Sequence, residues 1–229
     1  MQNCLLELNN ISVEYKTRLS FFRYQQHKAL DNVSFDVKKG ETIGIIGKNG
    51  CGKSTILKVI AGIYKPDSGN IINKAQSTSL LTLGLGFDPE LSGEDNAIIS
   101  AMLMGVSKQK AIEILPSIIE FSELGEFIKQ PVKSYSSGMR SRLGFSVAIK
   151  LEVELMLVDE VLSVGDAGFR AKAEKAMLEK ICSDQTVIFV SHSEGQVKRL
   201  CKRAIWLDKG KVKMVGDSDE VFEAYKTIK

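Results

Sequence analysis

Hydrophobic residues recur at every second position in the first third of the chain and at helical spacing in its middle. Leu6, Leu8, Ile11 and Val13 mark one strand, and Leu30, Val33, Phe35 and Val37 mark a second within Ala29 to Val37. Lys39-Gly40 then turns the chain into the apolar run Ile43-Gly44-Ile45-Ile46. Thr55 to Ala61 has helical character and Gly62 stops it. Pro66-Asp67-Ser68-Gly69 makes a turn into Asn70-Ile71-Ile72, and Thr78 to Leu83 is another short apolar strand.

From residue 94 the period changes. Ala97, Ile98, Ala101 and Met102, then Ala111, Ile112, Leu115, Ile118 and Ile119, follow helical spacing, as do Leu143, Val147 and Ala148 within Gly138 to Lys150. Beyond Leu155 strands and helices alternate: Leu155–Val158, Ala167–Ile181, Thr186–Val190, Glu194–Cys201 and Ala204–Leu207. Such alternation predicts an α/β fold with a parallel sheet covered by helices. The whole of 1–229 reads as one domain, strand-rich at its start, with a helical insert at about 88–150.

Composition narrows the options. Hydrophobic content of 44% with 26% charged residues suits a globular protein, and a net charge of +3 gives no argument for nucleic acid as a partner. Lys198, Arg199, Lys202, Arg203, Lys209, Lys211 and Lys213 cluster late, which a solvated face explains. Cys4, Cys51, Cys182 and Cys201 show no paired spacing, so a reducing compartment and no disulfide framework are expected. Cys51 reads as loop filler, mild acidity beside Lys53 being the alternative. The N-terminus has no secretory pattern, and no stretch approaches the roughly 20 apolar residues of a membrane span. The longest, Ala97 to Val106, is expected to be a buried helix.

Candidate chemistry centres on GKNGCGKS. Gly47, Lys48, Asn49, Gly50, Cys51, Gly52, Lys53 and Ser54, with Thr55 following, join an apolar strand to a helix. Helix N-termini carry free N–H groups and partial positive charge, and glycines let successive N–H groups curl inward around a phosphate. Lys53 is expected to reach the β- and γ-phosphates of a nucleoside triphosphate, and the Ser54 hydroxyl to ligate Mg²⁺. A glycine-rich turn opening an ordinary helix is the competing reading.

Two further strand ends carry polar groups. Leu155-Met156-Leu157-Val158 ends in Asp159 and Glu160; Asp159 suits Mg²⁺, directly or through water, and Glu160 suits polarising an attacking water. Thr186 to Val190 ends in Ser191-His192, where His192 suits contact with a γ-phosphate. His27 has no such setting. Tyr135-Ser136-Ser137-Gly138-Met139 leads into a helix and makes a second anion site. One nucleotide does not need two cradles, so Ser136, Ser137 and Gly138 are expected to serve a nucleotide bound to another copy of the protein.

GKNGCGKS, YSSGM, LMLVDE, SVGD and VSHS, in that order, resemble the ATP-binding cassette family over essentially the whole chain. The resemblance implies a P-loop fold with a RecA-like parallel sheet core, an N-terminal antiparallel β subdomain and an inserted helical subdomain. It implies a homodimer with ATP sandwiched between the phosphate loop of one copy and Ser136, Ser137 and Gly138 of the other. It makes Glu160 the general base, His192 the γ-phosphate switch and Asp166 a residue of cross-dimer communication. Tyr15, closing the first strand, matches the aromatic that stacks on adenine; a strand-edge tyrosine is the bland alternative.

Two departures stand out. Common cassettes carry a glutamine after the strand equivalent to Thr78–Leu83, and this chain reads Leu81-Thr82-Leu83-Gly84-Leu85-Gly86-Phe87-Asp88-Pro89. Tyr135, Ser137 and Met139 replace the usual Leu, Gly and Gln of the signature. LGLGFDPELSGEDN, VKSYSSGMRSRLGFSVA and DEVLSVGD are similar to bacterial exporters of O-antigen, capsule and teichoic acid. So is an enlarged loop at Lys16 to His27, with Phe21-Phe22-Arg23-Tyr24.

That similarity implies an ATPase subunit at the cytoplasmic face of the bacterial inner membrane. Its partners are then a membrane permease, a second copy of itself and, indirectly, a lipid-linked polysaccharide. The chain ends at Lys229, so the C-terminal sugar-binding domain of some O-antigen exporters is expected to be absent. The rivals are a soluble cassette ATPase acting on nucleic acid or ribosomes, and a nucleotide-binding scaffold without turnover.

Overall fold

The structure, a computed structural model, describes residues 4–20, 23–81, 84–159, 165–181, 183, 185–191 and 194–227. In chain order the strands are β1 (Cys4–Ser20), β2 (Arg23–Lys38), β3 (Thr42–Ile46), β4 (Ser68–Asn73), β5 (Thr78–Leu81), β6 (Leu155–Asp159), β7 (Thr186–Val190), β8 (Arg203–Asp208) and β9 (Lys211–Asp217). The helices are α1 (Lys53–Ile60), α2 (Gly93–Leu103), α3 (Lys108–Ser122), α4 (Ser137–Lys150), α5 (Ala167–Ile181), α6 (Glu194–Leu200) and α7 (Ser218–Lys226). They fall into two compact units, one of residues 1–76 with 184–229, the other of residues 77–183.

In the first unit β1 lies between β2 and β4, antiparallel to both. The alternation of Leu6, Leu8, Ile11 and Val13 puts all four inside, and Leu30, Val33, Phe35 and Val37 answer them from β2. The segment after Tyr15 is where expectation and structure part. Rather than a loop, the described backbone of 16–20 and 23–26 continues the two strands, pairing Lys16 with Gln26 and Ser20 with Arg23. Tyr15 therefore sits within β1, not at its end.

The same unit carries β3 in the middle of a parallel trio with β7 and β8, and β9 closes antiparallel on β8. Every residue of β7 is buried, as are Ile43 to Ile46, which fits near-continuous apolar runs covered on both faces. A Cβ on Gly44 would meet Val197 of α6 at 2.5 Å, so glycine there sets how closely the helix approaches. Strand β9 gave no sequence signal because its lysines alternate outward: Lys211 and Lys213 are exposed. A two-residue turn, Lys209-Gly210, with φ of 47° and 76°, joins it to β8 in the primed geometry that matches strand twist.

In the second unit β5 and β6 pair in parallel. Three phenylalanines bind its helices: Phe121 of α3, Phe145 of α4 and Phe169 of α5 lie with ring centroids 5.8 to 6.2 Å apart. Phe145 and Phe169 are fully buried, each worth about 1.5–3 kcal/mol over exposure. The expectation of a buried helix at Ala97 to Val106 holds for one face only, that of Ala97, Ser100, Ala101 and Met104. Ala97 and Ala101 are inside, whereas Met102 and Leu103 near the C-terminal end of α2 are 42% and 57% exposed. Among the described residues no helix is long and apolar enough to cross a membrane.

Candidate functional site

In the first unit the loop from Gly47 to Gly52 runs from β3 into α1 as expected. Gly52, at the N-cap, has φ +109° and no side chain to cap the helix, so the first-turn N–H groups of α1 have no capping acceptor from it. A Cβ there would stand 2.5 Å from the Ala29 carbonyl oxygen, so neither the angle nor the space admits another residue. Backbone bonds brace the loop from behind. Gly210 N–H donates to the Cys51 carbonyl at 3.0 Å, and the Gly210 carbonyl accepts from Asp31 N–H at 2.8 Å.

Lys53 is 7% exposed, and its ammonium donates to the Gly47 and Lys48 carbonyls at 2.9 and 3.1 Å. The positive charge is thus folded over its own loop, with Asn49 and Gly50 exposed beside it. Ser54 is exposed as well. Cys51 is buried, and burial pushes its thiol up despite the pull of Lys53. That direction runs against mild acidity and fits a packed place in the loop. Tyr15 is half-buried and shares a 3.2 Å hydrogen bond between its hydroxyl and that of Thr55.

The second unit holds the other described candidates. Ser136 caps α4: its hydroxyl accepts from Met139 N–H at 3.1 Å, leaving Ser136 and Ser137 exposed at the helix tip with Gly138 half-buried. Tyr135, where leucine was the usual residue, is buried, and its hydroxyl donates to the Phe127 carbonyl at 2.7 Å. Desolvation pushes that phenol up. The departure from leucine thus adds an anchor that ties the serine tip to the turn at Gly125–Lys129.

Asp159 closes β6, half-buried after four buried apolar residues. Asp166 accepts from Phe169 N–H at 3.0 Å, capping α5, and its other oxygen pairs with Arg142 of α4. Those two partners, the backbone N–H first, hold its carboxyl below the usual carboxylate range.

Glu160, His192, Thr82, Leu83, Phe21 and Phe22 lie outside the described residues. Two contributors went unnoticed in the sequence. Arg142 gave no signal, because its partner is 24 positions away. Asn96 is fully buried in α2; its amide donates to the Asp88, Leu91 and Ser92 carbonyls and its oxygen accepts from Asp88 N–H at 2.7 Å, fixing the turn that leads into α2. A polar residue on the apolar face of a helix was the available clue.

Comparison with known proteins bears on this geometry. Residues 30–163 match the family model described as ABC transporter. The chain is 40% identical to the O-antigen export system ATP-binding protein RfbB of Klebsiella pneumoniae over 92% of this chain and 86% of that protein. It is 42% identical to the teichoic acids export ATP-binding protein TagH of Bacillus cereus, covering 99% of this chain but only 43% of that one. Among solved structures, a dimeric ATP-binding cassette in a post-hydrolysis state bound to ADP and Pi superposes with a TM-score of 0.76 at 21% identity, over 93% of this chain and 98% of the other. The ATP-binding subunit of an ABC transporter gives 0.77 at 24%, over 97% and 93%. These two likenesses establish the fold.

Proposed function

The chain belongs to the ABC transporter family, and from that premise we propose that it is the ATP-hydrolysing subunit of a bacterial exporter of a cell-surface polysaccharide: O-antigen, capsule or teichoic acid. The observation that carries the substrate class is the 40% identity, over 92% of the chain, to a protein named for O-antigen export, joined by 42% to one named for teichoic acids export. Two copies dock beneath a membrane permease at the cytoplasmic face. ATP closes the pair, hydrolysis reopens it, and the cycle moves a lipid-linked polymer outward.

The chemistry follows from the residues. Gly47 to Thr55 offer N–H groups and the Lys53 ammonium to the triphosphate, positioning it and neutralising its charge. The exposed tip of Ser136, Ser137 and Gly138 supplies hydroxyl and N–H donors to the γ-phosphate held by the other copy. Glu160 accepts a proton from the attacking water, and His192 contacts the γ-phosphate. The exposed Ser54 hydroxyl and the Asp159 carboxylate are hard oxygen donors of the kind Mg²⁺ takes. When bound, Mg²⁺ would draw charge from the β- and γ-phosphoryl oxygens.

The test is complementation. A strain lacking this chain and supplied with Glu160→Gln, whose hydrolysis slows by about 10²–10⁴, should accumulate polymer inside and display none outside. Normal surface polysaccharide in that strain would remove the proposal.

A further inference from the structure

Helix α1 ends in a way that fixes a second aromatic ring beside the nucleotide site. Gly62, with φ +73°, stands just past the helix, where Ile63 N–H donates to the Lys58 carbonyl at 2.9 Å and Gly62 N–H to the Val59 carbonyl at 3.1 Å. This pairing of bonds is the Schellman arrangement, and it sets the direction in which the chain leaves the helix. Tyr64 follows, its own N–H also held by the Lys58 carbonyl at 3.2 Å.

The Tyr64 ring meets the Tyr15 ring edge to face, with centroids 6.0 Å apart and planes at 74°. The Lys58 ammonium lies 5.4 Å from the centre of the Tyr64 ring. Tyr15 is therefore held at two places: its hydroxyl by Thr55, in the first turn of α1, and its ring by Tyr64, just past the last. A ring pinned at both ends presents a fixed surface to a flat ligand, whereas a free tyrosine loses rotamer freedom when it stacks.

We infer that Tyr64 is a positioning residue for nucleobase binding, holding Tyr15 in the plane on which the base of the nucleotide stacks. The inference rests on the assignment of Tyr15 to the base. Tyr64 acts on the base alone, because the phosphate cradle of Gly47 to Ser54 is built by other groups. Without Tyr64 the Tyr15 ring must be immobilised when the base binds, an ordering cost that weakens binding by about threefold to tenfold.

Calorimetric titration of the full chain with ATP and with inorganic tripolyphosphate separates the two parts. Tyr64→Ala, and Tyr64→Leu, which keeps apolar bulk, should each weaken ATP binding by about threefold to tenfold while tripolyphosphate binds as before. Tyr64→Phe, which keeps the ring, should restore ATP binding. Tyr15→Ala is the companion arm. If Tyr15→Ala loses ATP affinity while Tyr64→Ala and Tyr64→Leu keep it, the inference is overturned and the role of Tyr15 stands. If Tyr15→Ala binds ATP normally, the role of Tyr15 fails first. An equal loss of tripolyphosphate in Tyr64→Leu would mean that the residue supports the loop and not the base, which also overturns the inference.

Discussion

Arg142 of the serine-tipped helix is ion-paired with Asp166, the residue that caps α5. One side chain thus ties the element proposed to touch the partner's γ-phosphate to the residue proposed to signal between copies. Arg142 also lies over the Phe169 ring at 5.1 Å and within 3.8 Å of Glu123, so its guanidinium is positioned by three groups. Replacing Arg142 by Met should lower kcat for ATP hydrolysis and leave the Kd for ATP unchanged, because the phosphate loop belongs to other residues. Arg142→Lys should not restore turnover, since an ammonium cannot reproduce the planar fork. Steady-state kinetics beside equilibrium titration decides.

Gly93 and Tyr135 form a second exacting contact: a Cβ on Gly93 would fall 2.2 Å from the Tyr135 hydroxyl and 2.8 Å from the Ile128 carbonyl. Gly93→Ala should cost about 1–3 kcal/mol by overpacking. Tyr135→Phe should cost about 1 kcal/mol, the Phe127 carbonyl keeping its bond from Gln130 N–H. The double variant should be less destabilised than the sum, because the phenol oxygen is the nearest clash. Urea unfolding measures all three.

Acid sensitivity should be traceable to Arg203, which pairs with Asp36 at 2.9 Å and Glu41 at 3.3 Å. The guanidinium holds the Asp36 carboxyl below its ordinary value. A depressed carboxylate stabilises the fold above its unfolded value, about 4, and that stabilisation is lost as pH falls through the folded value. Asp36 is partly solvated, so Arg203→Met should cost only about 1 kcal/mol near neutrality. Denaturation curves at several pH values should show the difference shrinking below pH ~4.

Thiol labelling should follow burial. The Cys201 thiol is pushed up to about 12 by desolvation, and Cys51 is raised by the same cause. Cys4 is only half-buried. Iodoacetamide at neutral pH should therefore modify Cys4 ahead of Cys51 and Cys201, as peptide mass spectrometry would report. Early labelling of Cys51 would contradict the packed state of the loop.

Much of this was legible in the chain. The phosphate loop could be read because its glycines, lysine and serine are each demanded by local backbone geometry, and Gly52 shows that demand directly in its angle and its contact with Ala29. Strands β3, β6 and β7 were legible because burial on both faces leaves continuous apolar runs. What escaped notice depends on distant partners. The extension beyond Tyr15 is polar, and only its pairing across the hairpin makes it strand. Strand β9 needed β8 for the same reason. Tyr135 looked like a deviation until the Phe127 carbonyl was seen to receive its hydroxyl.

One ATP is proposed to be held jointly by two copies of this chain. Sedimentation of Glu160→Gln with saturating Mg²⁺-ATP tests this most directly, with Ser137→Arg added as a block at the helix tip. The Glu160→Gln protein should double in mass on adding ATP, and the Ser137→Arg combination should bind ATP yet stay at the mass of one chain. A Glu160→Gln protein that remains a single chain with ATP fully bound would contradict it.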